Sequence, residues 1–422
     1  MRKLQYSMFR FAFMSAALLL LSSQSMFGQY SDRVAQVQQS LPRAELSLSA
    51  DIYTSVLREI EANSTTLGAL RENMEAERLA NRTGIYLANP EVEFAYMWGD
   101  PVALGNRTNL NVSQGFDFPT AYGHRNKISK LKNENAESDY RSGRMNLLLS
   151  AKQICIELVY YNALLAEYNM RVNNAIAISD SYEARFNAGD VGILESNKAK
   201  LNLITVRNEV ARINIERSAL LSELKRLNGG KDLDFSFGKY PLDALPSDFE
   251  SWYALAEQRN PVLSYVKGEI EINKRQVALN RAMSLPKFSA GYTSEALTDE
   301  KFQGVMVGMS IPLWENKNTV KEAQARVRAS ELVMQDSKVE FYNRLQNLYV
   351  KASELNRNAT EYRNALSAYS NDSLLKKALD SGEISLLEYL LELEYYYDAV
   401  NKMLEAERDY ELSLAELSAV EL

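Results

Sequence analysis

The 422-residue chain has a single cysteine, Cys155, and a single histidine, His124. One cysteine excludes an intrachain disulfide. One histidine leaves a His-based metal centre, or a Ser-His or Cys-His catalytic pair, without its usual parts. Beyond the first thirty residues, no stretch approaches the roughly 18 consecutive apolar residues of a membrane-spanning helix. Positive charge is not in excess either: the net charge of −7 argues against a nucleic-acid partner, which favours a basic face. Thirteen methionines lie scattered, with no repeated spacing that would mark a copper path. No catalytic residue, metal ligand or cofactor is expected.

The chain opens with Met1-Arg2-Lys3 and Arg10, an apolar run from Phe11 to Leu21, and small or polar residues through Gly28-Gln29. This is the pattern of a secretory signal, whose apolar core is too short for a comfortable span. Residues 1–28 are read as that signal and 29–51 as an N-terminal extension. No cysteine lies near the junction, so a cysteine-linked lipid anchor is not expected.

The remainder is one unit written twice. Arg185-Phe186-Asn187-Ala188-Gly189-Asp190 parallels Ala378-Leu379-Asp380-Ser381-Gly382-Glu383, with Gly189 and Gly382 offset by 193. Phe118-Pro119 and Ile311-Pro312 share that offset, so the residues between the landmarks carry no insertion or deletion. The repeats span about 52–230 and 250–420, joined by a Gly-, Asp- and Pro-containing linker over about 231–249.

Each half predicts the order helix, two strands, long helix, turn, helix. Phe341, Leu345, Leu348, Ala352, Leu355, Ala359, Tyr362, Leu366 and Tyr369 step by four and three, a sustained heptad seam. Ile154, Leu158, Tyr161, Leu165, Tyr168 and Val172 do the same. The proline-free pattern from about 123 to 187 would run on the order of 100 Å at ~1.5 Å per residue. Helices of this length pack side by side, as coiled coils do.

Four short segments alternate instead, at about 90–99, 107–118, 286–297 and 302–313. Val92, Phe94, Tyr96 and Trp98 share one face; Val305, Val307, Met309, Ile311 and Leu313 form the clearest apolar row. Such period-two segments suit outer-membrane strands, apolar to lipid and polar to the lumen, or equally a soluble sheet with one face on a core. Residues 100–106 and 298–300 are read as polar hairpin turns. In lipid, open strand edges leave backbone groups unpaired at several kcal/mol each. Four strands cannot close a barrel, for which about eight is the minimum, whereas three chains would pool twelve.

With the duplicated unit, the Arg-Phe-x-x-Gly turn at Arg185–Gly189, the prolines at Pro119 and Pro312, and the run Gly382–Glu388, the chain resembles the TolC-type outer-membrane efflux proteins. The resemblance covers about 52–420. It implies a mainly α fold with a transmembrane β portion: a homotrimeric 12-stranded barrel in outer-membrane lipid, continued by an α-helical coiled-coil barrel through the periplasm. It implies a passive exit duct of an efflux system, docked onto a periplasmic adaptor (membrane fusion) protein and an inner-membrane pump of RND or ABC type. A type I protein-secretion exit has the same architecture, because the pump chooses the cargo. A soluble periplasmic coiled-coil scaffold is the reading of another class.

Under the resemblance, Arg185, Phe186, Gly189, Asp190, Leu379, Gly382 and Glu383 form the periplasmic tips that meet the adaptor. Glu388, with Glu392, falls where relatives carry a pore-facing acidic constriction; the alternative is a solvated (i, i+4) helix pair. Some relatives lock this end with a tyrosine and an arginine, but those positions here are Leu379 and Ile384. Trp98 and Trp314 are read as interfacial aromatics anchoring the barrel. Cys155 is expected to be a small buried hydrophobe, His124 a solvated polar residue, and the Tyr395–Tyr397 run a packing element.

Overall fold

The computed structural model describes residues 52–241, 244–297, 299–368 and 372–422. The proposed signal and extension, residues 1–28 and 29–51, lie outside the described residues, as does the seam position Tyr369. The chain divides into a short unit ending at Thr54 and a main unit, Ser55–Leu422, which contains nearly all of both repeats. Of the first, the described residues are helical.

The elements follow the predicted duplicated order. Helices α1 (Ile52–Asn63) and α2 (Thr65–Ala80) precede β1 (Glu91–Met97) and β2 (Arg107–Phe116). Next come α3 (Pro119–Ala188) and α4 (Ile193–Leu227). The second repeat holds α5 (Phe249–Arg259), α6 (Pro261–Met283), β3 (Lys287–Ala296), β4 (Lys301–Ser310), α7 (Thr319–Ala368), α8 (Asp372–Asp380) and α9 (Leu386–Leu417). All four strands end before the predicted bounds, and β4 begins one residue early, at Lys301. At one end of β2 the cause is Pro119, which takes the first helical position of α3 with its φ already suited to a helix. The β1–β2 turn also departs from expectation. It contains a 3-10 turn, Val102–Leu104, whose exposed Val102 and Leu104 make it apolar as much as polar.

Local chemistry sets the helix starts. Asp248 caps α5 by accepting from Ser251 N at 3.1 Å. Asn260 caps α6 by accepting from Val262 N at 2.8 Å, with Pro261 leading the first turn.

The 70-residue α3 is the spine. It packs on α4 near the 189 end, on α2 and α6 toward the sheet, and on α9 between. Surrounded in this way, it buries Cys155, Ile156, Leu158, Val159 and Tyr160 almost without gap, more than the single seam read from its heptads. Cys155 is buried, as read from the sequence. The apolar interior is strung out along the helices rather than gathered at a centre. One cluster centres on Leu345, Ala352 and Leu414, another on Tyr160, Leu164, Ile213 and Leu404.

The inter-repeat linker is pinned along this bundle. Phe235 is fully buried, Asn162 Nδ2 donates to the Phe237 carbonyl at 2.8 Å, and Tyr240 donates its hydroxyl to the Ile156 carbonyl at 3.1 Å. Burial pushes the Tyr240 phenol well above its ordinary pKa, so it stays a donor.

Candidate duct: the sheet and the helical tips

The strands form one antiparallel sheet in the order β1-β2-β3-β4, with β2–β3 joining the two repeats. Register decides what that sheet can do. Val92 lies opposite Val112, Val112 opposite Tyr292, and Tyr292 opposite Val305. Phe116 lies opposite Phe288 and Phe288 opposite Met309. Residues directly opposite share a face, so the apolar sides of four separate segments coincide. The other face carries Asn109, Asn111, Ser113, Thr293, Ser289, Gly304 and Gly308, with Thr293 donating to Asn111 Oδ1 at 2.6 Å.

The apolar face is uncovered. Val305 is 88% and Val307 81% exposed, and the extensive contacts of the strands are with one another. Trp98 and Trp314, at opposite ends of the sheet, are 80% and 81% exposed. Trp98 meets Tyr96 edge-on at 5.4 Å. A soluble sheet buries its apolar side on a core; this one leaves an apolar band open.

At the other end, the two tips are built alike. Gly189 ends α3 with φ of 84°, donating to the Phe186 carbonyl at 3.0 Å while Asp190 N donates to Arg185 O at 2.9 Å. Gly382 has φ of 75° and donates to the Leu379 carbonyl at 3.1 Å, with Glu383 N donating to Ala378 O at 2.9 Å. Left-handed backbone and paired terminal carbonyls require glycine at both sites. The following helices also start alike: Gly192 N donates to Glu195 Oε2 and Ser385 N to Glu388 Oε2, each at 2.7 Å. Glu388 N in turn donates to Ser385 Oγ at 3.2 Å, closing a capping box. These Ser385 hydrogen bonds hold the Glu388 carboxyl below its ordinary pKa. Glu388 and Glu392 are both exposed.

Arg185, Phe186, Gly189, Asp190, Gly382 and Glu383 are exposed at these turns. Leu379 is not. It is buried in a cluster with Ile178, Tyr182, Ala199, Leu386, Tyr389 and Leu393, with Ile384 packed against it. The expected contact role for Leu379 is thus corrected: its side chain turns inward and fastens one hairpin to the other. Where relatives were expected to use a polar lock, this chain places apolar packing between its own two tips.

Sequence reasoning missed Arg171. This α3 guanidinium is 5% exposed and stacks between Tyr168 and Tyr397, 4.4 and 4.2 Å from the ring centroids. It donates to Asn401 Oδ1 at 2.9 Å, while its Nε is buried without a partner. Beside it runs a groove of about 730 Å³ between α3, α4 and α9, lined in part by Asn202, Glu209, Tyr395 and Asp398. In the tyrosine run, Tyr395 is exposed and Tyr397 stacks on Arg171, so one member packs a cation. His124 is half-buried with Nδ1 shielded and unbonded, a correction to the solvated role expected of it.

A four-stranded sheet with one bare apolar face, continued by long paired helices, defines a class: the fold is TolC-like, that of outer-membrane channels with a helical tunnel. Comparison with known proteins finds the same fold. Alkaline protease secretion protein AprF of Pseudomonas aeruginosa is 24% identical over 399 residues, covering 84% of this chain and 81% of AprF. The CmeC outer membrane channel of Campylobacter jejuni superposes with a TM-score of 0.72 at 16% identity, covering 87% of this chain and 85% of CmeC. The outer-membrane channel OprN gives 0.74 at 13% identity, covering 87% and 89%. No family model matches the chain.

Proposed function

We propose that this chain is an outer-membrane exit duct: a passive conduit that trimerises in the outer membrane and is driven from the inner membrane through a periplasmic adaptor. The observation that carries the reading is the coincidence of four apolar strand faces on one uncovered side. Lipid is the environment that covers such a face at no cost, and it forbids the open edges of β1 and β4. Three copies supply twelve strands, enough for a barrel with a wide lumen.

The small and polar side chains of the opposite face line that lumen. The exposed tip residues Arg185, Phe186, Asp190 and Glu383 offer the adaptor its contacts, and Gly189 and Gly382 shape them. Three copies of Glu388 and Glu392 form an acidic constriction that draws cations and repels anions. Trp98 and Trp314 sit at the two membrane interfaces.

A small-molecule duct is the leading reading. Likeness to AprF, named for protease secretion, favours export of a polypeptide as the second. Membrane fractionation tests the shared claim. A heat-modifiable oligomer released from outer membranes only by detergent is expected; a soluble or stably monomeric protein overturns it. Glu388→Lys should reverse ion selectivity in planar bilayers, and unchanged selectivity removes the acidic constriction.

A further inference from the structure

Resting on the exit-duct reading, we propose a specific seam between copies. The β4 edge of one protomer pairs with the β1 edge of the next so that Val305, Val307, Met309 and Ile311 lie opposite Trp98, Tyr96, Phe94 and Val92 of the neighbouring copy.

Of three constraints, direction permits this pairing, face selects the register, and tilt excludes the slip that adds two residues. In the order β1-β2-β3-β4 neighbouring strands alternate, so a following β1 runs antiparallel to β4 and can extend the ladder.

The second is face. A slip of one residue would set every apolar β4 residue beside the polar face of β1, so only slips of two are permitted. Among these, a slip one way sets Asp100 opposite Val305, a charged residue inside the apolar band. A slip the other way sets Trp98 opposite Gln303. The chosen register alone gives each of the eight apolar residues an apolar partner. On the lumen side it sets Met97 against Met306, Ala95 against Gly308 and Glu93 against Ser310, with no like charges opposed.

The third is tilt. Within one protomer Val92 is level with Val305 across the sheet. The apolar band, however, runs from Val92 toward the β1–β2 turn on β1 and from Val305 toward the helices on β4. A level membrane slab can cover both only if the strands lean. Trp98 lies six residues beyond Val92. Setting it against Val305 staggers each protomer by six residues, and the twelve-strand ring then tilts by about 46°, at the upper edge of the usual range. The slip that adds two residues gives about 54°, beyond that range.

The test uses cysteine pairs in a Cys155→Ala background, reconstituted in outer-membrane lipid and oxidised with copper phenanthroline. Opposed residues fall within disulfide reach, whereas diagonal neighbours at about 7–8 Å do not close efficiently. Tyr96→Cys with Val307→Cys should give covalent dimers and trimers on a denaturing gel. Phe94→Cys or Trp98→Cys with the same Val307→Cys should give at least fivefold less. Dominant crosslinking by either control pair overturns the register and leaves the duct standing. A trimer with no crosslink from any pair overturns β1–β4 pairing. A monomer with no crosslink overturns the duct reading as well.

Discussion

The two long helices α3 and α7 hold the same place in their repeats and live in different surroundings. α3 buries residues along nearly its whole length, whereas α7 buries Ala323, Leu345, Ala352 and Ala359 and leaves Leu332, Val333, Val339 and Val350 exposed. α3 packs on α2, α4, α6 and α9, whereas α7 packs mainly on α6 and α9 and keeps an exposed margin. Duplicated sequence therefore fixes the kind of element, while position in the protomer decides whether its second face is covered by its own chain.

The largest effect should come from the spine. Leu158→Ala, at a fully buried site, is expected to cost about 2–5 kcal/mol in thermal or denaturant unfolding. The contrasting change, Val339→Glu on α7, should leave helix content intact and weaken the oligomer on sizing columns in detergent. If Val339→Glu unfolds the chain as Leu158→Ala does, the two helices are not spine and margin. Next comes Arg171→Ala, which strips the cation from between Tyr168 and Tyr397; a loss of about 2–3 kcal/mol is expected in the same melts. A neutral result would mean that the cation adds nothing to the other packing between α3 and α9.

The tips sharpen the comparison, because there the repeats agree. Gly189→Ala and Gly382→Ala should each cost about 1 kcal/mol, and similarly, since both φ values are positive. Unequal costs would show that one turn is braced by neighbours. The smallest effect is acid sensitivity. The Glu388 carboxyl titrates lower folded than free, so its support for the second tip is complete at neutral pH. That support is lost as pH falls through the folded value. The protection of amides 382–388 against hydrogen exchange, taken relative to their intrinsic rates at the same pH, should therefore fall below about pH 4, near the ordinary carboxylate range. Glu388→Gln should show the lower protection at neutral pH already, with no further loss of protection in acid.

Much of this was legible in the sequence, for physical reasons. The heptads and absent prolines gave the long helices, and the shared offset of the glycines and prolines gave the repeat. Strand existence followed from alternation. Strand alignment did not, because period-two patterning fixes which residues share a face within a strand, not which strands share it. The sheet register supplied that. Leu379 and Arg171 were hidden for a related reason. A leucine beside a tip glycine looks like surface until the second hairpin packs on it. An arginine in a long helix looks solvated until Tyr168 and Tyr397, far apart in the chain, close over it. The linker was read as a connector because Asp and Pro mark loops; the burial of Phe235 shows it strapped along the helices.

Seventy residues separate Pro119 from Gly189, and seventy separate Pro312 from Gly382. The two arms thus hold the same number of residues, although helix begins at Pro119 in the first and at Thr319 in the second. Losing one residue from either would raise that tip by ~1.5 Å and swing its outward side by about 100°. In the proposed trimer six such tips would face the adaptor together, so a change of length is expected to be tolerated only when both arms alter together, in whole turns.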